Sequence, residues 1–302
     1  TLRPDAATVA EDVSGMPGLA APEREGGFGF DYRFAMGVPD YWIKLIKEVP
    51  DEQWPMGQLW HELTNRRHDE KTISYAESHD QALVGDQSII FRLIGEEMYW
   101  HMQAGDAHLR VDRGIALHKM IRLITLATAG SGYLTFMGNE FGHPEWIDFP
   151  REGNGWSFKY ARRQWNLADD PNLKYQYLAR FDRDMIALAK ASRMFKNPWP
   201  NLLHEHNEHK VIACERAGRV FVFNFHPTVS HFGYRIVAPP GKYRIILDSD
   251  SIEYGGHARL APEQEHFTLF EDTSGRDTLS LYLPTRTALV LEMQHRSAEA
   301  GA

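Results

Sequence analysis

Residues 72–82 read Thr72-Ile73-Ser74-Tyr75-Ala76-Glu77-Ser78-His79-Asp80-Gln81-Ala82. A β-branched, apolar run passes within a few residues into groups that carry charge and donate or accept hydrogen bonds. The run predicts a short strand, and the polar residues lie just past its C-terminal end. Three other segments have the same form. Residues 8–10 run into Glu11, residues 28–34 form a second apolar run, and residues 133–137 are stopped by Gly138. Between these runs, apolar residues at helical spacing predict helices over 41–47, 56–63, 115–129 and 176–191. The third of these has the broadest apolar face, with Leu117, Met120, Ile121, Ile124 and Leu126. Strands alternating with helices indicate βαβ units and a parallel sheet. In such sheets polar chemistry collects just beyond the strand C-termini. Glu11 and the pair His79-Asp80 occupy that place on two different strands, so they are expected to share a site.

The pattern changes at Lys196-Asn197-Pro198-Trp199-Pro200. Short β-rich runs follow at 210–214, 219–225, 234–237, 243–247, 278–282 and 288–292. Turn-forming Pro239-Pro240-Gly241 and Tyr254-Gly255-Gly256 separate some of them. This half predicts an antiparallel sandwich of about a hundred residues. Two domains are therefore expected, 1–197 and 198–302. The tail after Gln294 is small and polar and is expected to fray. No internal repeat of the solenoid or propeller kind is visible.

Composition narrows the function classes. The 302 residues are 43% hydrophobic and 12% aromatic, enough for a sizeable core and against extensive disorder. The formal charge of −8, from 33 basic and 41 acidic residues, argues against a nucleic-acid or anionic-membrane surface as the main partner. A neutral polymer fits that balance. Cys214 is the one cysteine, so no disulfide forms within the chain, which is compatible with a reducing compartment. Residues 1–10 lack the basic-then-apolar pattern of a signal peptide. The apolar segment 115–129 is broken by His118, Lys119 and Arg122 and is too short to span a bilayer. A soluble, cytoplasmic protein is expected.

Retaining glycoside transfer needs two carboxyl groups about 5 Å apart, one to attack the anomeric carbon and one to protonate the leaving oxygen. Ala10-Glu11-Asp12 resembles the strand-five motif of the α-amylase superfamily, and Ser78-His79-Asp80 its strand-seven motif. Longer stretches resemble glycogen and starch branching enzymes: residues 10–17 (AEDVSGMP), 75–82 (YAESHDQA), 137–146 (MGNEFGHPEW) and 148–156 (DFPREGNGW). Phe223-Asn224-Phe225-His226-Pro227, Leu247-Asp248-Ser249-Asp250 and Tyr254-Gly255-Gly256-His257 extend the resemblance into the β-rich half, closest to the eukaryotic-type branch. The resemblance implies a (β/α)8 barrel followed by a β-sandwich. It also implies a two-step reaction in which an α-1,4-glucan is cleaved and transferred to a 6-hydroxyl, with no metal or organic cofactor. Glu11 is then the general acid/base, Asp80 the transition-state stabiliser, and His79 a hydrogen-bonding neighbour on the same sugar.

One element of the family pattern is missing. The family nucleophile is an aspartate that ends strand four, in a setting like Gly-Phe-Arg-Phe-Asp-Gly. Upstream of Glu11 there is one aspartate, Asp5, set in Arg3-Pro4-Asp5-Ala6. Gly27-Phe28-Gly29-Phe30-Asp31 has the spacing, but Gly29 stands where the arginine belongs and the stretch follows Glu11. The chain is therefore expected to hold barrel strands five to eight and the sandwich, and to be inactive alone. Half a barrel leaves two open strand edges, so self-association is also expected. Another α-amylase-superfamily hydrolase and a non-catalytic glucan-binding or assembly module stand as the rival readings.

Asn139, Glu140, Trp146 and Trp156 are the candidate sugar-contacting residues. For Asn139 and Glu140 a structural hydrogen-bonding role is the alternative. For Trp146, Trp156 and Trp165 the alternative is packing of a long loop. Arg162 and Arg163 read as structural ion-pair partners or solvated groups. His204-Glu205-His206-Asn207-Glu208-His209 fails the zinc-peptidase spacing because Glu208 stands where the second histidine belongs, and no third ligand is evident.

Overall fold

The computed structural model describes residue 3 and residues 5–84, 87–144 and 148–294. The tail after Gln294 and Trp146 lie outside the described residues.

Four short strands form a parallel sheet in chain order: β1 (Val9–Ala10), β2 (Tyr32–Phe34), β3 (Thr72–Ser74) and β4 (Gly132–Tyr133). The register pairs Val9 with Tyr32, Arg33 with Thr72 and Ile73 with Gly132. Helices α1 (Gly37–Glu48) and α2 (Met56–Thr64) follow β2, and α3 (Ile89–Ile94) and α4 (Leu109–Thr128) follow β3. Helices α5 (Asn166–Asp169) and α6 (Tyr175–Ala191) follow β4. Pro39 sits in the first turn of α1, where its missing N–H leaves no helical bond unmade.

Two expected strands are shorter than their apolar runs. Residues 28–30 bond back into their own loop: the amide of Phe28 donates to Gly18 O at 2.8 Å and that of Phe30 to Leu19 O at 3.1 Å. Past Tyr133, the amide of Leu134 makes one more bond to Ser74 O, at 3.0 Å, before the chain turns away. Helix α3 was not expected. Six residues are too few for a helical period to show, and its start is marked only by Ser88, whose side chain accepts from the Phe91 amide at 3.4 Å.

The second half is one eight-stranded antiparallel sheet. Its strands are β5 (Asn201–His206), β6 (Val211–Arg216), β7 (Arg219–Asn224), β8 (His231–Val237), β9 (Lys242–Asp248), β10 (Glu265–Glu271), β11 (Arg276–Leu283) and β12 (Thr287–Met293). Their order is β5-β6-β7-β12-β9-β10-β11-β8. The sheet curls until its outer strands meet, where His204 Nε2 on β5 and the Tyr234 hydroxyl on β8 lie 2.8 Å apart. The expectation of an all-β antiparallel half holds. β5 and β10 were missing from the expected runs, and Phe267, Leu269 and Phe270 leave the apolar side chains of β10 exposed.

Strands β6, β7 and β12 are buried on both faces. Ile212, Cys214, Phe221, Phe223 and Val290 join the core made by the helices. Val211, Ala213, Val220, Val222 and Leu289 join a second core inside the curled sheet. Burial on both faces explains why these strands read as continuous apolar runs rather than alternating ones. Helix α4 is buried along nearly its whole circumference, including His118, Lys119 and Arg122. Lys119 Nζ donates to Ser249 O at 2.5 Å and Tyr254 O at 2.8 Å. Arg216 of β6 donates to Ala127 O at 2.8 Å, Gly130 O at 3.0 Å and Asn197 O at 3.0 Å. Buried cations on carbonyls thus join the all-β half to the helices.

Candidate active site

Glu11 is the first residue past β1, and His79 and Asp80 follow β3 by a few residues. In a parallel sheet those ends point the same way, and the structure brings the three side chains together. One donor atom from each of Glu11, His79 and Asp80 lies within 4.8 Å of the other two. His79 Nε2 is 3.3 Å from Asp80 Oδ1. Glu11 and His79 are exposed and Asp80 is half-buried, so a ligand from solvent can reach all three.

Asp80 opens a π-helical turn, Asp80–Val84, which points its carboxylate back toward the strand ends. The turn is braced from below. Gln81 Oε1 accepts from the Ser78 amide at 2.9 Å, Ser78 Oγ accepts from the Asp80 amide at 3.2 Å, and Gln81 Nε2 donates to Asp40 Oδ1 at 3.0 Å. The buried Tyr75 phenol is pushed well above its ordinary pKa, first by burial and then by the charges of Asp80, Asp40 and Glu11. Its hydroxyl therefore stays protonated beside the carboxylates and can donate to one of them or to a ligand.

The loop that carries Glu11 away from β1 is pinned by Glu70. Its buried carboxylate accepts from the amides of Gly18 at 3.2 Å and Ala20 at 2.9 Å and from Arg33 Nη1 at 3.1 Å. Arg33 in turn donates to Met16 O at 2.7 Å. A cleft of about 580 Å³ opens beside this loop, lined by Asp12, Arg33, Asp40 and Arg66 among others. It adjoins the strand-end cluster without including Glu11, His79 or Asp80. The side chains of Glu11, His79 and Asp80 converge in the cluster and not in this cleft.

Asp31 is at the wrong end of the sheet to attack anything at Glu11. It precedes β2, and its carboxylate accepts from the Thr8 amide at 2.7 Å and the Thr8 hydroxyl at 2.9 Å, upstream of β1. Parallel register puts Asp31 at one end of the strands and Glu11 at the other.

Asn139 is buried and its amide donates to Glu77 Oε1 at 2.7 Å. Glu77 Oε2 accepts from the Ile89 amide at 2.5 Å, and burial pushes the Glu77 pKa above the ordinary glutamate range. The pair ties the loop after β4 to the start of α3. Glu140 accepts from the Gly138 amide at 2.7 Å, within its own turn. Neither Asn139 nor Glu140 joins the Glu11 cluster. Trp156 is 66% exposed at a backbone φ of 57°. Ahead of it, Asp148, Arg151 and Asn154 form a closed network: Arg151 Nε reaches Asp148 Oδ1 at 2.9 Å and Asn154 Nδ2 reaches Asp148 Oδ2 at 3.0 Å. Trp165 packs against Phe141 with ring centroids 5.3 Å apart. Glu70, Tyr75 and Glu77 went unnoticed as site-building residues, because each acts through partners distant in sequence.

Residues 202–294 match the family model described as the alpha amylase C-terminal all-beta domain. The chain is 54% identical over 295 residues, 97% of its length, to a 1,4-alpha-glucan-branching enzyme of Equus caballus. It is 53% identical over 274 residues, 90% of its length, to that of Solanum tuberosum. By sequence, the chain is a homologue of 1,4-alpha-glucan-branching enzymes over nearly its whole length. It spans 42% of the length of the horse branching enzyme and 32% of the potato one. Among solved structures, a debranching enzyme from Nostoc punctiforme superposes with a TM-score of 0.58 at 15% identity, covering 97% of this chain and 53% of that one. An alpha-amylase from H. orenii superposes with a TM-score of 0.52 at 12% identity, covering 96% and 54%. At such identities these two likenesses speak for the fold alone.

Proposed function

We propose that this chain supplies the acid/base half of a glucan-branching active site. The convergence of Glu11, His79 and Asp80 carries the reading. The sheet β1 to β4 is read as strands five to eight of a (β/α)8 barrel, with residues 1–197 forming that part and 198–302 the all-β domain. The substrate is an α-1,4-glucan. Glu11 protonates the glycosidic oxygen as the bond to the anomeric carbon breaks, then takes the proton from the 6-hydroxyl of the acceptor chain, so that an α-1,6 branch forms with retention. Asp80 and His79 hold hydroxyls of the same glucose as its ring flattens, and Trp156 offers a stacking face. A carboxylate oxygen of Glu11 and one of Asp80 lie within 4.8 Å of each other, but the sequence around Asp80 resembles the stabilising position of the family. No residue of this chain is assigned as the nucleophile.

Several further points belong to this reading. The main partner is glucan rather than nucleic acid or membrane. Among the described residues, no helix is long and apolar enough to cross a membrane. Cys214, the one cysteine of the chain, is buried and free, which fits a reducing compartment such as the cytoplasm. β1 and β4 each pair on one side only among the described residues, which favours self-association through those edges. Size-exclusion chromatography with light scattering tests that point, and a clean monomer would count against it.

The decisive experiment places Glu11→Gln in a version as long as the relatives and follows the iodine spectrum of amylose. Loss of branching by about a hundredfold or more is expected. Full activity would remove Glu11 from the mechanism. Amylose incubated with the 302-residue chain alone is expected to bind without new α-1,6 linkages.

A further inference from the structure

We propose that Glu97, His101 and His108 form a binding site for a divalent cation of the zinc type, which fastens the segment between α3 and α4 to the first turn of α4. Glu97 lies in the 3-10 turn Gly95–Tyr99, His101 follows it by four residues, and His108 is the residue that caps α4. One donor atom of each lies within 4.8 Å of the other two. His101 Nε2 is 3.5 Å from Glu97 Oε2, and His108 Nε2 is 3.8 Å from the same oxygen. Ligands held at about 2.0–2.1 Å from a tetrahedral zinc ion stand roughly 3.4 Å from one another. The two nitrogen–oxygen separations are thus within a few tenths of an ångström of that spacing, and the two histidine donor atoms lie within 4.8 Å of each other.

Two further observations point to a ligand. Asp106 Oδ2 lies 2.7 Å from His101 Nδ1. A proton on Nδ1 donated to that carboxylate leaves the Nε2 lone pair aimed at Glu97, the carboxylate–histidine–metal arrangement that orients ligating imidazoles. The second observation concerns His108. Its ring stacks on that of His101 with centroids 4.1 Å apart and planes within 10°, yet its Nδ1 is buried with no hydrogen-bond partner. No hydrogen bond at Nδ1 accounts for the pose of that ring. To share an ion the two rings must turn out of this parallel stack until both Nε2 lone pairs, each in its own ring plane, point at it. Two histidines and one carboxylate are a borderline-soft donor set suited to zinc, and side-chain exposures near 30% leave a fourth position for water.

The site would be structural rather than catalytic. The segment it closes packs on the approach to α6: the Ala104 amide donates to Asn172 O at 2.7 Å and the Lys174 amide to Met102 O at 2.8 Å. An ion bound to the folded state alone stabilises that segment by mass action. It is separate from the Glu11, His79 and Asp80 group, the other described set whose donor atoms converge.

The test strips the protein with a chelator, dialyses it, and titrates it with zinc chloride by calorimetry and by competition with a chromophoric chelator. One equivalent is expected to bind with micromolar or tighter affinity and to raise Tm. The double variant His101→Gln/His108→Gln is expected to lose at least tenfold in affinity and the Tm increment. Asp106→Asn, which leaves all three ligands in place, is expected to weaken binding by about ten- to a hundredfold. Should the double variant fail to fold, Glu97→Gln alone gives the same readout. Asp80→Asn and His206→Gln are expected to bind zinc as the parent does. Binding weaker than millimolar, binding unchanged in the double variant or in Glu97→Gln, or binding abolished by Asp80→Asn would each overturn the proposal.

Discussion

Asp51 and Arg286 are 235 positions apart in the chain and meet in an ion pair of 2.8 Å. The other oxygen of Asp51 accepts from Arg113 of α4 at 3.0 Å. One buried carboxylate thus joins the segment after α1, the long central helix and the turn between β11 and β12. Burial alone would raise the Asp51 pKa, but the hydrogen bond and charge of Arg113, with Arg286 beside it, hold it below the ordinary range. A carboxylate depressed in the folded state contributes stability above its unfolded pKa of about 3.9, and that contribution is lost as pH falls through the folded value. Asp51→Asn is expected to cost about 3 kcal/mol at pH 7, since it leaves two guanidinium groups short of their counter-ion. Urea unfolding measures this, and a change below about 0.5 kcal/mol would show the junction does not depend on the pair.

Glu70 is expected to govern the order of the loop that carries Glu11. Burial opposes its charge, but the amides of Ala20 and Gly18 and the Arg33 guanidinium outweigh it and lower its pKa. Glu70→Gln replaces one accepting oxygen with a donor that faces other donors. A loss of about 2 kcal/mol is expected, with faster amide exchange across residues 12–30. Unchanged exchange there would separate Glu70 from the loop.

His118 is fully buried within α4, and neither ring nitrogen has a hydrogen-bond partner. Burial, with Arg122 nearby, drives its pKa well below the ordinary 6.5. The unfolded chain then takes up a proton below about pH 6.5 that the folded chain refuses, so stability falls as pH drops through that window. His118→Leu is expected to stabilise by about 1–3 kcal/mol at pH 7 and by more at pH 5. Denaturant titrations at both pH values check it; equal gains at both would show that His118 does not contribute to the pH dependence.

Asn139 and Trp156 are expected to separate. Asn139→Ala removes the amide donor to the buried Glu77 and should cost about 2 kcal/mol in stability. Trp156→Ala changes an exposed ring, so stability should stay within about 0.5 kcal/mol while amylose retention on affinity gels falls. The opposite pattern would exchange their roles.

Much of the site was legible because its signals are local. A β-branched run ending in a carboxylate marks a strand end whatever lies beyond it, and two such ends on parallel strands must face the same side. Glu11, His79 and Asp80 could therefore be grouped from spacing and motif. The β-rich second half was legible for the same reason, apart from β5 and the outward-facing β10. Strand lengths were not legible, since whether residues 28–30 join the sheet or their own loop depends on where Gly18 and Leu19 stand.

By itself, the sequence determined the alternation of strand and helix, the change of character near Pro198, and the chemistry waiting at the strand ends. Tertiary structure alone decided which polar groups build the frame. Asp31 has a catalytic-looking setting yet caps the start of β1, because parallel register puts it at the opposite end from Glu11. Asn139, Lys119 and Arg216 look like surface or site residues in one dimension. In the fold each is buried against a partner 62 or more positions away. A local pattern records which face of an element is apolar; it holds no record of which distant carboxylate or carbonyl will satisfy a buried polar group, and that pairing is set only when the elements pack.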